Sequence, residues 1–428
     1  MLIEFSVTNF KSFKNKTTFT MEKGIGNEYL NNTFNIQKIS LLKTAAIYGS
    51  NGSGKSNMID ALKVAISLIR KSNVSQVGDR IFNIVPFAFS DETKNKPSEF
   101  EFIFISNNVK YKYGFSAGNK KIYTEYLYAY YSQKPTMIFE RIDTNKYEFL
   151  LEDKRELSSI VTKNTDNKLF LATATNWNYS KTKDAYLWFN DSIDIYNNLG
   201  TISNIFFSSY DKNNIEFKKF TVKLLKEADI YINDFNIEPN IYNLENTSVE
   251  VYNNMRDFYN SIYYEYPEND LLKKYNIKIN HEVLDNNGNK KIYELNINDE
   301  SSGTKILFSL APLLKNAFET KKVIIIDELE KSLHPTLVEF IIKLFNNPNI
   351  NKSNSQLIFT THDVHLLDND LDLFRRDQIW FVEKEDKTCI SNLYSLDEFS
   401  VRKGENIRKG YLNGRFGAIP FIKDNIIL

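Results

Sequence analysis

The sequence predicts an α/β protein, and three stretches predict it. A strand at residues 45–48 runs into a glycine loop and then a helix over 56–70, where Ile59, Leu62, Ala65, Ile66 and Ile69 fall at the spacing of one helix face. The apolar run 323–326 ends in Asp327-Glu328, as a parallel strand buried on both faces does. Between them, short aromatic and β-branched runs at 100–105, 109–115 and 122–131, joined by Asn, Gly and Lys turns, spell antiparallel strands.

The other elements follow along the chain. Ile3, Phe5 and Val7 alternate with polar residues as a half-buried strand does, and 9–13 read as a polar turn carrying aromatics. Residues 155–275 lose the alternation and read as helical, for instance 217–228 and 251–264. No heptad persists there for the three or four repeats of a coiled coil, so long paired arms are not expected. Strand text returns at 277–283 and 291–297. A helix follows at 303–314, then strands at 323–326 and 356–359, and 378–393 alternates again. With 15 Gly and 9 Pro, no linker or repeat separates the parts. The expected organisation is a core built from residues 1–80 and 276–428, an antiparallel β lobe at 81–154 and a helical insertion at 155–275.

Composition narrows the function. Lys and Arg number 54 and Asp and Glu 54, so no net field draws the chain onto nucleic acid or an acidic membrane. The single cysteine, Cys389, excludes a disulfide framework and a cysteine zinc cluster and suits a reducing compartment. The first residues lack the basic and apolar regions of a secretory signal, and no apolar run approaches the ~18–20 residues that span a bilayer. A soluble, cytoplasmic protein without membrane contact is expected.

Gly49-Ser50-Asn51-Gly52-Ser53-Gly54-Lys55-Ser56 fits the P-loop pattern in its strand–loop–helix setting. Its glycines let successive N–H groups turn around a phosphate, and the helix N-terminus adds partial positive charge. Lys55 would reach the outer phosphates and the Ser56 hydroxyl would ligate Mg²⁺. The expected nucleotide set is Gly49, Asn51, Gly52, Ser53, Gly54, Lys55, Ser56 and Asn57. Asp327 would hold Mg²⁺ through water, and Glu328 would ready a water for attack on the γ-phosphate. His362 follows the strand 356–359 at the edge where doubly wound sheets bind ligands, within reach of the γ-phosphate. Reading His362, Asp363 and His365 as a metal site is disfavoured, because adjacent residues ending a strand do not converge easily. Glu300-Ser301-Ser302-Gly303-Thr304-Lys305 opens an apolar helix, which is both an anion site and ordinary N-capping chemistry.

In this order the motifs resemble the heads of ABC-type ATPases: Walker A at 49–56, a signature-like 301–304, Walker B with its glutamate at 327–328, a D-loop-like Leu333-His334-Pro335, and a switch histidine at 362. The fold this resemblance implies is a P-loop NTPase of the ABC-ATPase head type with a β-rich lobe and an inserted helical region. More narrowly, Asn9-Phe10-Lys11-Ser12-Phe13, the Glu-Ser-Ser-Gly-Thr signature, the Leu-His-Pro step and the ending Tyr411-Leu412-Asn413-Gly414-Arg415-Phe416-Gly417-Ala418-Ile419-Pro420 look like bacterial AAA/ABC ATPases linked to restriction and abortive infection, the RloA-like group. The resemblance implies ATP and Mg²⁺ as cofactors and a homodimer or higher homo-oligomer. In it, Ser301, Ser302 and Gly303 of one chain touch the γ-phosphate held by Lys55 of another. It further implies a separate effector protein, a nuclease or toxin, in antiphage defence. The sequence departs from standard ABC proteins in reading Ser-Ser-Gly-Thr for Ser-Gly-Gly-Gln. It also lacks a Q-loop glutamine after the first helix: Gln76 comes early, and Pro86-Phe87 stands where one is sought.

Two other functions compete with this switch. A DNA-binding ATPase clamp of the recombination type would want long coiled coils, but the basic residues Arg402, Lys403, Arg408, Lys409 and Arg415 offer a nucleic-acid contact. A nuclease of the overcoming-lysogenisation kind would use Asp368, Asp370 and Asp372 as Toprim carboxylates, yet the 66 residues after His362 are few for that domain.

Overall fold

The structure is a computed structural model and describes residues 1–197, 215–241, 273–402 and 404–420. Two compact units divide the chain: residues 1–195, 321–328 and 342–428 form one, and residues 196–320 and 329–341 the other. Among the described residues no helix is long and apolar enough to cross a membrane.

Among the described residues the first unit carries two large sheets and a separate two-stranded one. Its antiparallel sheet contains β1 (Leu2–Thr8), β2 (Thr17–Thr20), β6 (Ser98–Ser106), β7 (Val109–Ala117), β8 (Ile122–Tyr130), β9 (Thr136–Asp143) and β10 (Lys146–Glu148), in the order β10-β9-β8-β7-β6-β1-β2. Residues 1–80 are therefore not confined to the core half assigned to them. Phe5 and Val7 of β1 lie opposite Phe102 and Phe100 of β6, and this aromatic face draws the N-terminal strand into the lobe. A short hairpin, β3 (Thr33–Ile36) with β4 (Ile39–Leu42), leads to β5 (Thr44–Tyr48).

β5 belongs to the second sheet, with β11 (Ile193–Tyr196), β15 (Val323–Ile326), β16 (Gln356–Thr360), β17 (Ile379–Lys384) and β18 (Ser391–Ser395), in the order β11-β15-β16-β5-β17-β18. β15, β16, β5 and β17 run parallel, and β18 returns antiparallel. Every residue of β5, β15 and β16 is buried, which is why their middles are runs of apolar residues rather than alternating ones, with polar Thr44, Gln356 and Thr360 at strand ends. Gln356 ties the two sheets together. Its side chain accepts from the Leu2 N–H at 2.8 Å and donates to the Leu2 carbonyl at 3.0 Å and the Leu42 carbonyl at 3.2 Å.

Helix α1 (Lys55–Lys71) buries Met58, Ile59, Leu62, Ala65, Ile66 and Ile69, the face its spacing predicts. Helices α2 (Lys154–Val161), α3 (Phe170–Asn176) and α4 (Ser180–Asp191) also join the first unit, although the sequence placed 155–275 in one insertion. The reason lies in α4: Trp188 stacks on Phe104 at 4.2 Å and Phe189 meets Phe102 at 5.1 Å. Arg70 at the end of α1 donates to the Phe189 carbonyl at 2.6 Å and the Ile193 carbonyl at 2.5 Å, satisfying acceptors at and just beyond the last turn of α4.

The second unit contains helix α5 (Ile215–Glu227), strands β12 (Asp234–Ile241), β13 (Lys273–Leu284) and β14 (Lys290–Asn296), and helix α6 (Ser302–Thr320). Its sheet has the order β12-β13-β14, all antiparallel. Residues 234–241, expected in helical text, form a strand because Phe235 and Ile237 alternate and pair with Ile279 and Ile277. Phe235 then packs edge-on to Phe308 of α6 at 4.8 Å. The helix expected at 251–264 lies outside the described residues.

A buried charge pair joins the lobe of the first unit to α3. Glu125 on β8 accepts from the Phe170 N–H at 2.6 Å, the Leu171 N–H at 2.9 Å and the Tyr113 hydroxyl at 2.9 Å, with the Arg141 guanidinium at 3.9 Å. Arg141 in turn donates to the carbonyls of Thr144 and Lys168 at 2.7 and 2.9 Å. Burial pushes the Glu125 carboxyl above its ordinary value, and Arg141 pulls it back. Removing one partner leaves an uncompensated buried guanidinium and orphaned N–H groups. Glu125→Ala is expected to cost about 3–5 kcal/mol of stability, read as a shift of the urea midpoint at unchanged slope. A shift equal to that of an exposed control such as Glu148→Ala would contradict it.

Candidate active site

The parallel sheet puts three chain reversals at one edge. β5, β16 and β15 lie side by side and point the same way, so the segments leaving their carboxyl ends emerge together. Residues 49–54 leave β5, Thr361-His362 leave β16, and Asp327-Glu328 leave β15.

The loop after β5 is shaped by close packing. A Cβ on Gly49 would stand 2.5 Å from the Val382 carbonyl oxygen, and one on Gly54 would stand 2.5 Å from Ser391 Oγ and 2.8 Å from Ser12 Oγ. Gly54 also has φ 118°, which a side chain rarely tolerates. Lys55 is buried and donates to the carbonyls of Gly49 at 2.7 Å and Ser50 at 3.1 Å, so its ammonium closes the loop on itself. Ser56 and Asn51 are exposed, and the Ser53 hydroxyl is buried. The Asn57 amide donates to Ser12 Oγ at 2.8 Å, so in this arrangement it braces the loop from behind.

Two residues that sequence reasoning did not select hold that wall. Ser391 on β18 donates from Oγ to the Ser53 carbonyl at 2.5 Å, and its N–H donates to the Ser12 carbonyl at 2.8 Å. Ser12 lay within the N-terminal turn that carried the family resemblance. Ser391 gave no signal, being 338 positions from its partner. The same turn organises the stretch where a Q-loop glutamine was sought. Asn9 accepts from the Phe87 N–H at 3.0 Å and donates to the Thr93 carbonyl at 2.9 Å, while the Lys11 N–H donates to the Val85 carbonyl at 2.7 Å. Gln76 lies apart from this arrangement, its N–H donating to Asp79 at 2.6 Å.

The acid pair is joined to β16 by one hydroxyl. Thr360 Oγ1 donates to Asp327 Oδ1 at 2.5 Å and accepts from the Glu328 N–H at 2.8 Å. Glu328 sits in the left-handed region at φ 51°, which turns the chain away from β15 and costs on the order of 1–3 kcal/mol in a non-glycine residue. Thr360 closed the strand text just ahead of His362, so its hydroxyl was readable as a polar group at the edge, but its bridging role depends on strand order. His362 is exposed on a pinned segment: the Thr361 N–H donates to the Ile47 carbonyl at 3.1 Å, the Asp363 N–H to Thr361 Oγ1 at 3.0 Å, and the Tyr48 hydroxyl to the Asp363 carbonyl at 3.3 Å.

Ser301, Ser302 and Gly303 belong to the second unit. Ser301 Oγ accepts from the Thr304 N–H at 3.1 Å at the start of α6, and both serines are exposed. Glu300 is bound to His281 at 2.6 Å. Among the described residues no three His, Cys, Asp or Glu converge as metal ligands. Ser56 and Asp327 instead offer hard oxygen donors of the kind that hold Mg²⁺ beside phosphate, where most ligands are water and phosphate oxygens.

A family model described as "AAA domain, putative AbiEii toxin, Type IV TA system" matches residues 45–368, which include the glycine loop, the Ser301–Gly303 corner, the acid pair and His362. The chain belongs to this family. It is thus an AAA domain. No curated protein matches it. Solved structures that align include the SMC head domain from Thermotoga maritima, at 16% identity over 94% of this chain and 99% of that one, with a TM-score of 0.41. The SmcHead bound to the C-winged helix domain of ScpA aligns at 15% identity over 94% and 98% of the two chains, TM-score 0.41. An Smc head with an extended coiled coil, bound to the C-terminal domain of ScpA derived from Pyrococcus furiosus, aligns at 15% over 92% and 96%, TM-score 0.40.

Thr360 fixes both members of the acid pair, one through its side chain and one through its backbone. Thr360→Val removes both hydrogen bonds at constant volume and is expected to lower ATP turnover about 10–100-fold, with Mg²⁺ affinity falling alongside. Thr360→Ser should restore most of both. Equal activity of the valine and serine variants would show that the bridge is dispensable.

Proposed function

We propose that the protein hydrolyses ATP to ADP and phosphate and uses the cycle as a switch between closed and open dimers. The observation that carries this reading is the convergence of the Lys55 loop, the Thr360-linked Asp327-Glu328 pair and His362 at one edge of the parallel sheet.

The chemistry follows from the positions. On binding, the phosphates displace the loop carbonyls as partners of the Lys55 ammonium, and the loop's N–H groups and the N-terminus of α1 oppose their charge. Ser56 and Asp327 would hold Mg²⁺, which supplies further neutralisation of the phosphate oxygens. Glu328, turned away from Asp327 by its left-handed backbone, accepts a proton from the attacking water. His362 donates to the γ-phosphate. Ser301, Ser302 and Gly303 of a second copy complete the site, so hydrolysis requires two chains. ATP can shift the dimer only through its differential affinity for the closed state, and a γ-phosphate bridging two chains supplies that difference. The readout is a separate effector, a nuclease or toxin, in cytoplasmic antiphage defence.

In the DNA-clamp reading, two members of the basic cluster are held by carboxylates: Arg408 is 3.3 Å from Asp368, and Arg415 pairs with Glu405. The Toprim reading meets the same difficulty, since Asp368 pairs with Arg408 and Asp372 accepts from the Tyr29 hydroxyl at 2.6 Å.

Glu328→Gln is expected to bind ATP and accumulate closed dimers while turnover falls about 10²–10⁴-fold, measured by phosphate release and light scattering. Wild-type turnover in that variant would refute the assignment. Lys55→Ala should weaken nucleotide binding itself. Proteins retained by Glu328→Gln in ATP, and lost without it, identify the effector.

A further inference from the structure

Among the described residues no strand lies beyond β14, a feature the nucleotide site does not explain. β14 is an outer strand of the order β12-β13-β14, and six of its seven residues are exposed on both faces. Ile292 is 69% exposed, Tyr293 54% and Leu295 45%, with Leu284 of the adjoining strand at 64%. A seven-residue strand with an unpaired edge and exposed aliphatic and aromatic side chains is a template for strand addition.

The charges on this edge say which strand it accepts. Along one face run Lys290, Ile292 and Glu294, backed on β13 by Leu284, Glu282 and Asn280. Lys290 lies 2.6 Å from Glu282, and Glu294 lies 3.1 Å from Lys278. Side chains directly opposite across an antiparallel pair share a face, so a two-fold axis normal to the sheet joins residues of like parity. Placed through Ile292, that axis sets Lys290 against Glu294 of the second copy, Glu294 against Lys290 of the second copy, and the two Ile292 side chains against each other. On the other face Lys291 meets Tyr293 of the second copy, a cation–π pairing. The lysines disfavour strands in general, whereas a copy of the same sequence supplies the opposing carboxylates in register.

We propose that β14 is a self-association edge: two copies join their β14 strands antiparallel about Ile292, making the described strands of both copies one continuous sheet. This contact needs no nucleotide and is separate from the ATP-dependent pairing proposed above.

Sedimentation velocity of the full chain without nucleotide, over a range of concentrations, tests it. The wild type is expected to dimerise. Lys290→Glu and Glu294→Lys should each raise the dissociation constant about tenfold, since each places like charges at two symmetric positions. The double variant Lys290→Glu/Glu294→Lys should return to within about threefold of wild type. Within one chain that double variant breaks the pairs with Glu282 and Lys278 just as the single variants do, so only pairing between copies accounts for rescue. An unchanged melting temperature keeps misfolding out of the comparison. A monomer at all concentrations, or a double variant no better than the singles, overturns the proposal and leaves the ATP-dependent dimer to its own test.

Discussion

The strand order β15-β16-β5 is the constraint on which the site rests. Because β16 lies between the other two and all three run parallel, whatever ends β16 must stand between the glycine loop and the acid pair. Thr360 and His362 occupy that place. The hydroxyl of Thr360 can then reach Asp327 and the backbone of Glu328 at once, which no residue of β5 could do. Right-handed connections between parallel strands leave few other ways to bring segments some 280 residues apart to one edge.

The same sheet shows why the chemistry was readable in the sequence while its supports were not. The apolar runs of β5, β15 and β16 announce strands buried on both faces, and the residues that follow each run carry the chemical signal. Gly49 through Ser56, Asp327-Glu328 and His362 therefore stood out. Ser391 did not, because a serine in an alternating strand looks like any half-exposed position until β18 is seen beside the loop. Asn9 and Ser12 were noticed only as part of a motif. Their work, pinning 85–97 and bracing Asn57, depends on contacts that no periodicity encodes.

The misplaced boundaries have a physical cause as well. Helical text over 155–191 does not reveal which core it joins, and Trp188 and Phe189 decide that by stacking on the aromatic face of β6. The strand β12 was lost in a region rich in Asn, Tyr and Lys, where Phe235 and Ile237 offer only a short alternation. Its pairing with β13 spans an intervening segment, and local pattern carries no record of so distant a partner.

The wall behind the glycine loop ties the loop's shape to a strand made much later in the chain. Gly49 through Ser56 leave the ribosome early, but the serine that fixes the Ser53 carbonyl is made 338 residues later. Until then the loop lacks the support that sets its curvature. A product released before Ser391 would carry the whole glycine motif without the hydroxyl that holds the Ser53 carbonyl.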